Sequence, residues 1–268
     1  MTDSVKVTRD GEIAQVLLDR PDAYNACDFE MAESLSRHLI TLAVDDEVRG
    51  IVIAGEGKAF CAGGDVNWVS GFPQGPAAAF HELAARVDQA ILEIRRMPKP
   101  VIAAIDGIAA GGGFSLALAC DFRIMSRSAI LRQAYTSNGL CINGGGTFFL
   151  PRLVGLARAL EIAALDRPIS SEQALTWGLT TKIAEDGCAL EEAMALAREL
   201  AQTSLNSFGW SKQLLTDSLD TAFETHIERE RAGICSCASH PDGKEGLRAF
   251  SEKRRPVFAA SRQSERSG

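Results

Sequence analysis

Two stretches decide the architecture: Ala59-Phe60-Cys61-Ala62-Gly63-Gly64-Asp65, and Asp106-Gly107-Ile108-Ala109-Ala110-Gly111-Gly112-Gly113-Phe114. Each follows a short apolar run, Gly50–Gly55 and Val101–Ile105, of the kind that forms a parallel strand buried on both faces. The second opens an apolar helix ending near Cys120, and Asp65 is placed to start another after the first. The first amides of a helix lack partners within it and sit at the positive end of its dipole. Glycine lets a substrate oxygen come close to such a backbone. Two amides aimed at one point stabilise an oxyanion, an effect of roughly 3–4 kcal/mol per donor. Glycine-rich turns between strand and helix are also common as plain structure, so the two stretches alone leave both readings open. Competing motifs are absent: Gly55-Glu56-Gly57-Lys58 lacks the spacing and the Ser/Thr of a P-loop, and there is neither an opening GxGxxG nor a GxSxG elbow.

Working outward, Val5–Thr8 and Ile13–Asp19 read as strands joined at Asp10-Gly11. Asp28 caps a helix to about Val44, with Met31, Leu35, Leu39 and Leu42 on one stripe. Ser70–Ala77 reads as a mobile loop, Ala78–Arg96 as a helix stopped by Met97-Pro98, and Phe122–Met125 as a strand. Helices are predicted near Thr147–Leu153 and over Ala157–Asp166, Ser171–Trp177, Ala189–Ala201, Asn206–Ser218, Asp220–Cys235 and Asp242–Lys253. Strands alternate with helices in the first half and helices fill the last third. That pattern predicts an α/β core over 1–200 and a helical region over 201–268, with the boundary near 195–205. No internal repeat is visible, and the tail Ser261–Gly268 reads as disordered.

The chain has 268 residues, 46% hydrophobic and 24% charged, enough for a large core without disulfides. A net charge of -7 argues against nucleic-acid binding. Seven scattered cysteines, a start without a basic-then-apolar leader, and the lack of a membrane-length apolar run point to a reduced cytoplasmic setting, away from membranes. Most of those thiols are expected to be small core residues. His226, Cys235, Cys237 and His240 do not match a usual zinc spacing, and no metal is expected.

The glycine pair and its spacing closely resemble the enoyl-CoA hydratase/isomerase (crotonase-like) superfamily. Supporting marks run along almost the whole chain: Leu18-Asp19-Arg20-Pro21, Asn25-Ala26, Val48-Arg49-Gly50, Lys99-Pro100-Val101, Cys120-Asp121, Gly145-Gly146-Thr147, Leu150-Pro151-Arg152 and Ala174–Gly178. The resemblance implies an α/β fold with a crotonase-like ββα spiral core and a C-terminal helical trimerisation region, assembled as a homotrimer or a dimer of trimers. It implies an acyl-CoA or enoyl-CoA substrate, with coenzyme A part of the substrate and no separate cofactor. The oxyanion amides would belong to Gly64 and Gly112. The CoA adenine would lie near Ala26, Ala62 and Asp65, and Lys253, with Arg254 and Arg255, would meet CoA phosphates from a neighbouring subunit. A solvated helix end is the alternative for those basic residues.

In this superfamily, side chains near the thioester choose the reaction. Hydratases use two glutamates, whose positions match Ser115 and Tyr135 here. A third position, an aspartate in the ring-epoxide isomerases of phenylacetate breakdown and in chlorobenzoyl-CoA dehalogenases, matches Asn143. The neighbourhood resembles those isomerases from Gly145 through Leu153 and over Lys244–Phe258. None of the three residues is a carboxylate. Ser115, a small residue bonded to its preceding turn on the plain reading, Tyr135 and Asn143 are then expected to line the reacting end and orient rather than ionise. Asp65, Cys141, His81 and Glu82 are further groups able to move a proton or attack, each with a plainer reading: helix start, buried thiol, surface helix. Asp106 and Asp121 read as turn and packing acceptors. Isomerisation of an enoyl-CoA leads. Hydration, thioester hydrolysis or dehalogenation, and non-catalytic acyl-CoA binding are the alternatives.

Overall fold

The computed structural model describes residues 3–258. Its main sheet has six strands: β1 (Val5–Asp10), β2 (Ile13–Leu18), β3 (Gly50–Gly55), β5 (Val101–Ile105), β7 (Phe122–Ser126) and β10 (Lys182–Ala184), in that order. Only the β1–β2 hairpin is antiparallel. A smaller sheet joins β4 (Ala59–Cys61), β6 (Ile108–Ala110), β8 (Ile130–Arg132) and β9 (Ile169–Ser170). Its first three strands run parallel, and β9 returns antiparallel.

The apolar runs are continuous because both faces of the main sheet are covered. Ile51, Ile53, Val101, Ala103 and Ile105 enter one core cluster, with Met31, Leu35 and Leu39 of α1 (Phe29–Val44). Their neighbours Val52, Ala54, Ile102 and Ala104 enter another, against Ala193 and Ala197 of α7 (Ala189–Ala201). Alternate side chains of one strand serve opposite cores. Each long central strand is followed by a short strand of the small sheet and then a helix. β3 and β4 lead to α2 (Val66–Ser70) and α3 (Pro76–Arg96), β5 and β6 to α4 (Gly112–Ala119), and β7 and β8, after a loop, to α5 (Gly146–Leu165). This is the expected ββα spiral. The repeat is structural only, since the three units share no sequence periodicity.

The short strands β4 and β6 lie inside the glycine-rich stretches, where three residues are too few to show a period. The two helices read on either side of Gly155 join as α5, with a kink at that residue (φ 75°). Ser70 ends α2 and Pro76 begins α3, so the presumed loop shrinks to residues 71–75. After α6 (Ser171–Thr176), the chain continues through α7 into α8 (Leu205–Asp217), α9 (Phe223–Ser239) and α10 (Pro241–Ser251). The expected disordered tail lies outside the described residues. Among those described, no helix is long and apolar enough to cross a membrane.

α8 is fastened to the core by charge. Lys212 is 6% exposed, and its Nζ donates to the Ile94 and Lys99 carbonyls and to Asp121 Oδ2 at 2.7 Å. Asp121 also accepts from Val101 N and Arg95 Nη1, more than the strand-end role expected of it. Removing one partner of a buried pair strands the other charge in a poor solvent. Asp121→Ala should therefore cost about 3–5 kcal/mol in urea unfolding. A loss below about 1 kcal/mol, the range of exposed pairs, would show that this junction is not held by charge.

Candidate active site

The two glycine stretches meet. β4 and β6 pair in parallel, and α4 begins at the end of β6. A Cβ on Gly113 would lie 2.1 Å from the Cys61 carbonyl oxygen, so only glycine allows α4 to start this close to β4. Gly63 has φ 104°, and a Cβ there would lie 3.1 Å from the Gly112 amide nitrogen. The turns carrying Gly64 and Gly112 thus touch backbone to backbone. Gly112 is the first residue of α4, and among the described residues neither its amide nor that of Gly64 is given to a backbone carbonyl. Both glycines line one narrow slot of about 60 Å³. Most of the rest of its wall is apolar: Met31 and Leu35 from α1, and Phe80, Leu83 and Val87 from α3 are among its residues. The stripe read as plain core on α1 is also a pocket wall.

Asp65 caps α2, its Oδ1 accepting from the Asn67 and Trp68 amides. Burial pushes its pKa up, but the Trp68 amide and Arg20 outweigh that and hold the carboxyl below its ordinary value. Arg20 ties the rim together. It donates to Asp65 Oδ2 (2.9 Å) and to the Ala26 carbonyl, and pairs with Asp28 (3.1 Å). Ala62 N donates to Tyr24 O, Cys27 N to Gly63 O and Asp65 N to Cys27 O. Ala26, Ala62 and Asp65, expected to share the CoA side, are so gathered on one edge beside Gly64. Buried Asn25 sets this loop, with Oδ1 accepting from Arg20 N and Nδ2 donating to the Glu56 and Ala59 carbonyls. Arg20 and Asn25 appeared in the sequence only as marks of resemblance, since nothing local shows what a side chain will span. Lys253 lies exposed past α10 and is not on the slot, while Arg254 pairs with Glu245 and Glu252.

Facing the glycines, Tyr135 and Asn143 line the slot. Tyr135 Oη donates to Asn143 Oδ1 at 2.7 Å. Ser115 differs from expectation. It is fully buried, does not line the slot, and bonds across rather than to its preceding turn: Oγ donates to the Asn143 carbonyl (2.7 Å) and lies 3.3 Å from Tyr135 Oη. Glycines at 144 and 146 leave room for this close approach. Burial pushes the Tyr135 phenol up to about 12, so it is a neutral donor and a poor base.

The other candidates fall away from the slot. Cys141 is exposed rather than buried, on the surface loop before α5. His81 and Glu82 are exposed on α3, as their plain reading had it. Asp106 accepts from Gly187 N. Only two of the seven cysteines, Cys61 and Cys120, are fully buried, fewer than composition suggested. Cys61 and half-buried Cys27 line the slot, with burial pushing the Cys61 thiol up to about 11 and Cys27 well above its ordinary value. His226, Cys235, Cys237 and His240 follow α9 and its cap, and among the described residues no three His, Cys, Asp or Glu side chains converge as a metal site would require. The slot therefore presents two free amides, one phenol, one carboxamide and two protonated thiols. It carries no carboxylate.

Residues 8–261 match the model of the enoyl-CoA hydratase/isomerase family. The 1,2-epoxyphenylacetyl-CoA isomerase of Escherichia coli (strain K12) is 35% identical over 247 residues, 92% of this chain and 94% of that one. A probable enoyl-CoA hydratase of Bacillus subtilis (strain 168) is 35% identical over 95% of this chain and 98% of its own. The crystal structure of a putative enoyl-CoA hydratase from Streptomyces coelicolor A3(2) superposes with a TM-score of 0.89 at 35% identity, covering 95% of this chain and 94% of the other.

The phenol gives a direct check. In a tyrosinate absorbance titration of the folded protein, the difference between wild type and Tyr135→Phe should appear only near pH 12. A difference centred near 10, the ordinary tyrosine value, would mean that Tyr135 is not desolvated as described.

Proposed function

The chain belongs to the enoyl-CoA hydratase/isomerase family, and from that premise we propose that it isomerises an enoyl-CoA or a related unsaturated acyl-CoA. The thioester oxygen accepts from the Gly64 and Gly112 amides, which stabilise the charge that builds there as an enolate forms. One observation carries the choice of reaction: the slot beside those amides has an apolar wall without a carboxylate. Adding water to a double bond calls for a base able to activate that water, and the three protonatable groups present are all held in their neutral forms by burial. An isomerisation takes nothing from water, because the proton lost from one carbon is returned to another. Tyr135, oriented by Asn143, is the group placed to relay that proton: its phenol gives a proton to one carbon and takes back the one the other carbon releases, so it ends protonated as it began. The narrow slot suits the slender, uncharged skeleton of an enoyl group. CoA itself lies along the edge formed by Ala26, Ala62 and Asp65.

Proton NMR in heavy water with crotonyl-CoA and a 3-enoyl-CoA tests this reading. A shifted double bond with deuterium at the α or γ carbon is expected. Accumulation of a 3-hydroxyacyl-CoA would make the chain a hydratase, and tight binding with no exchange would make it a binding protein. Gly112→Pro deletes one donor at a first helical position, which proline tolerates. It should lower the exchange rate by about 100- to 1,000-fold in a folded variant. Unchanged exchange would remove Gly112 from the site.

We further propose assembly as a homotrimer or a dimer of trimers through the C-terminal helices. Supporting it, Phe223 and Ile234 on α9 and Leu247 and Phe250 on α10 are 65–86% exposed, an unusual run of bare apolar side chains. Sedimentation should give three or six chains, and a monomer at micromolar concentration would contradict this.

A further inference from the structure

A second cavity, of about 380 Å³, opens between α5, α8 and the edge of β7, and shares no lining residue with the slot at Gly64 and Gly112. Its volume falls in the range of small-molecule sites, roughly 300–1,000 Å³. Much of its wall is apolar, with Phe148 and Phe149 on one side and Phe208, Leu215 and Leu219 on the other. Four cations stand in that wall: Arg95, Arg123, Arg152 and Lys212. Two carboxylates answer them. Asp121 is shared by Arg95 and Lys212, and Asp220, 58% exposed, meets Arg152 at 2.8 Å. Arg123 is 6% exposed, and its Nε and Nη1 donate only to the carbonyls of Leu179 and Cys120. No carboxylate among the described residues pairs with it, and its Nη2 has no hydrogen-bond partner there. Arg95 Nε is both buried and without a partner.

Buried cations are ordinarily matched by anions, because a lone charge in an apolar surrounding is expensive. Here positive charge and donor capacity exceed what the chain supplies, beside an aromatic wall with room for a hydrocarbon body. Arg152 itself lies over the Phe148 ring, 3.4 Å from its centroid, which leaves the Phe208 side as the apolar bed. We infer that this cavity is a binding site for an amphipathic carboxylate, an acyl or aryl acid whose charge meets the Arg123–Arg152 side and whose body lies against Phe208, Leu215 and Leu219. The inference is independent of the reaction at the slot.

Calorimetric titration of the whole protein with hexanoate tests it, with 1-hexanol and acetate as the probes that lack the charge and the apolar body. Hexanoate should bind saturably and at least about tenfold tighter than either, the factor expected of one charge-assisted hydrogen bond. Arg152→Gln, a partly exposed change in the wall, should weaken hexanoate by about tenfold and leave hexanol unchanged. Gly112→Pro should leave hexanoate binding intact. Hexanoate no tighter than hexanol, or unmoved by Arg152→Gln, overturns the site. Loss of binding in Gly112→Pro would place the acid in the slot instead. If saturating hexanoate splits the assembly in sedimentation, the missing carboxylate belongs to a second copy of the chain, and a small-molecule site is overturned.

Discussion

Everything at the candidate active site depends on one backbone contact, the start of α4 pressed against the Cys61 carbonyl. A side chain of any size at position 113 would force the two turns apart. With the contact in place, the Gly64 and Gly112 amides are fixed relative to one another by two strands and a helix, before any substrate arrives. Donors held in this way need no reorganisation when charge develops, which is where their proposed catalytic value lies. The main sheet, with cores on both faces, is the rigid bed that makes such a contact sustainable.

A second tier of contacts shapes the walls of the slot rather than the glycine turns. Arg20 and Asn25 are not on the wall of the slot, yet they fold residues 20–27 onto residues 62–65 and so shape the rim. Ser115 does the same for the opposite wall. Its hydroxyl joins α4 to the Asn143 carbonyl, so the start of α4 and the Tyr135–Asn143 pair share one rigid frame. Position 115, matched to a hydratase glutamate only by resemblance, holds a strut in this chain.

The sequence made the long features legible and the short ones obscure, for reasons of period and reach. GIVIAG and VIAAI are continuous apolar runs with one reading, and the α1 stripe from Met31 to Leu42 spans about three turns. β4, β6 and β8 have three residues each, too few for alternation to register, and two of them hide inside glycine motifs. At the site, the glycine pair was visible because glycine at a turn has a local cause. The roles of Arg20, Asn25 and Ser115 were not, since each is set by a partner 5 to 45 residues away. Cys141 was misplaced for a related reason: a thiol carries no sign of whether its loop faces in or out.

The proposed oxyanion donors are peptide groups, and that has a consequence for anyone wishing to silence the protein. Reagents directed at side chains have nothing to alkylate, acylate or oxidise at Gly64 or Gly112, and acid or base within the stable range leaves both donors as they are. Of the two cysteines on the slot wall, half-buried Cys27 is the more open to a reagent, and burial holds it as a thiol. Slow modification there would act as a plug, excluding the thioester while leaving the machinery that polarises it untouched.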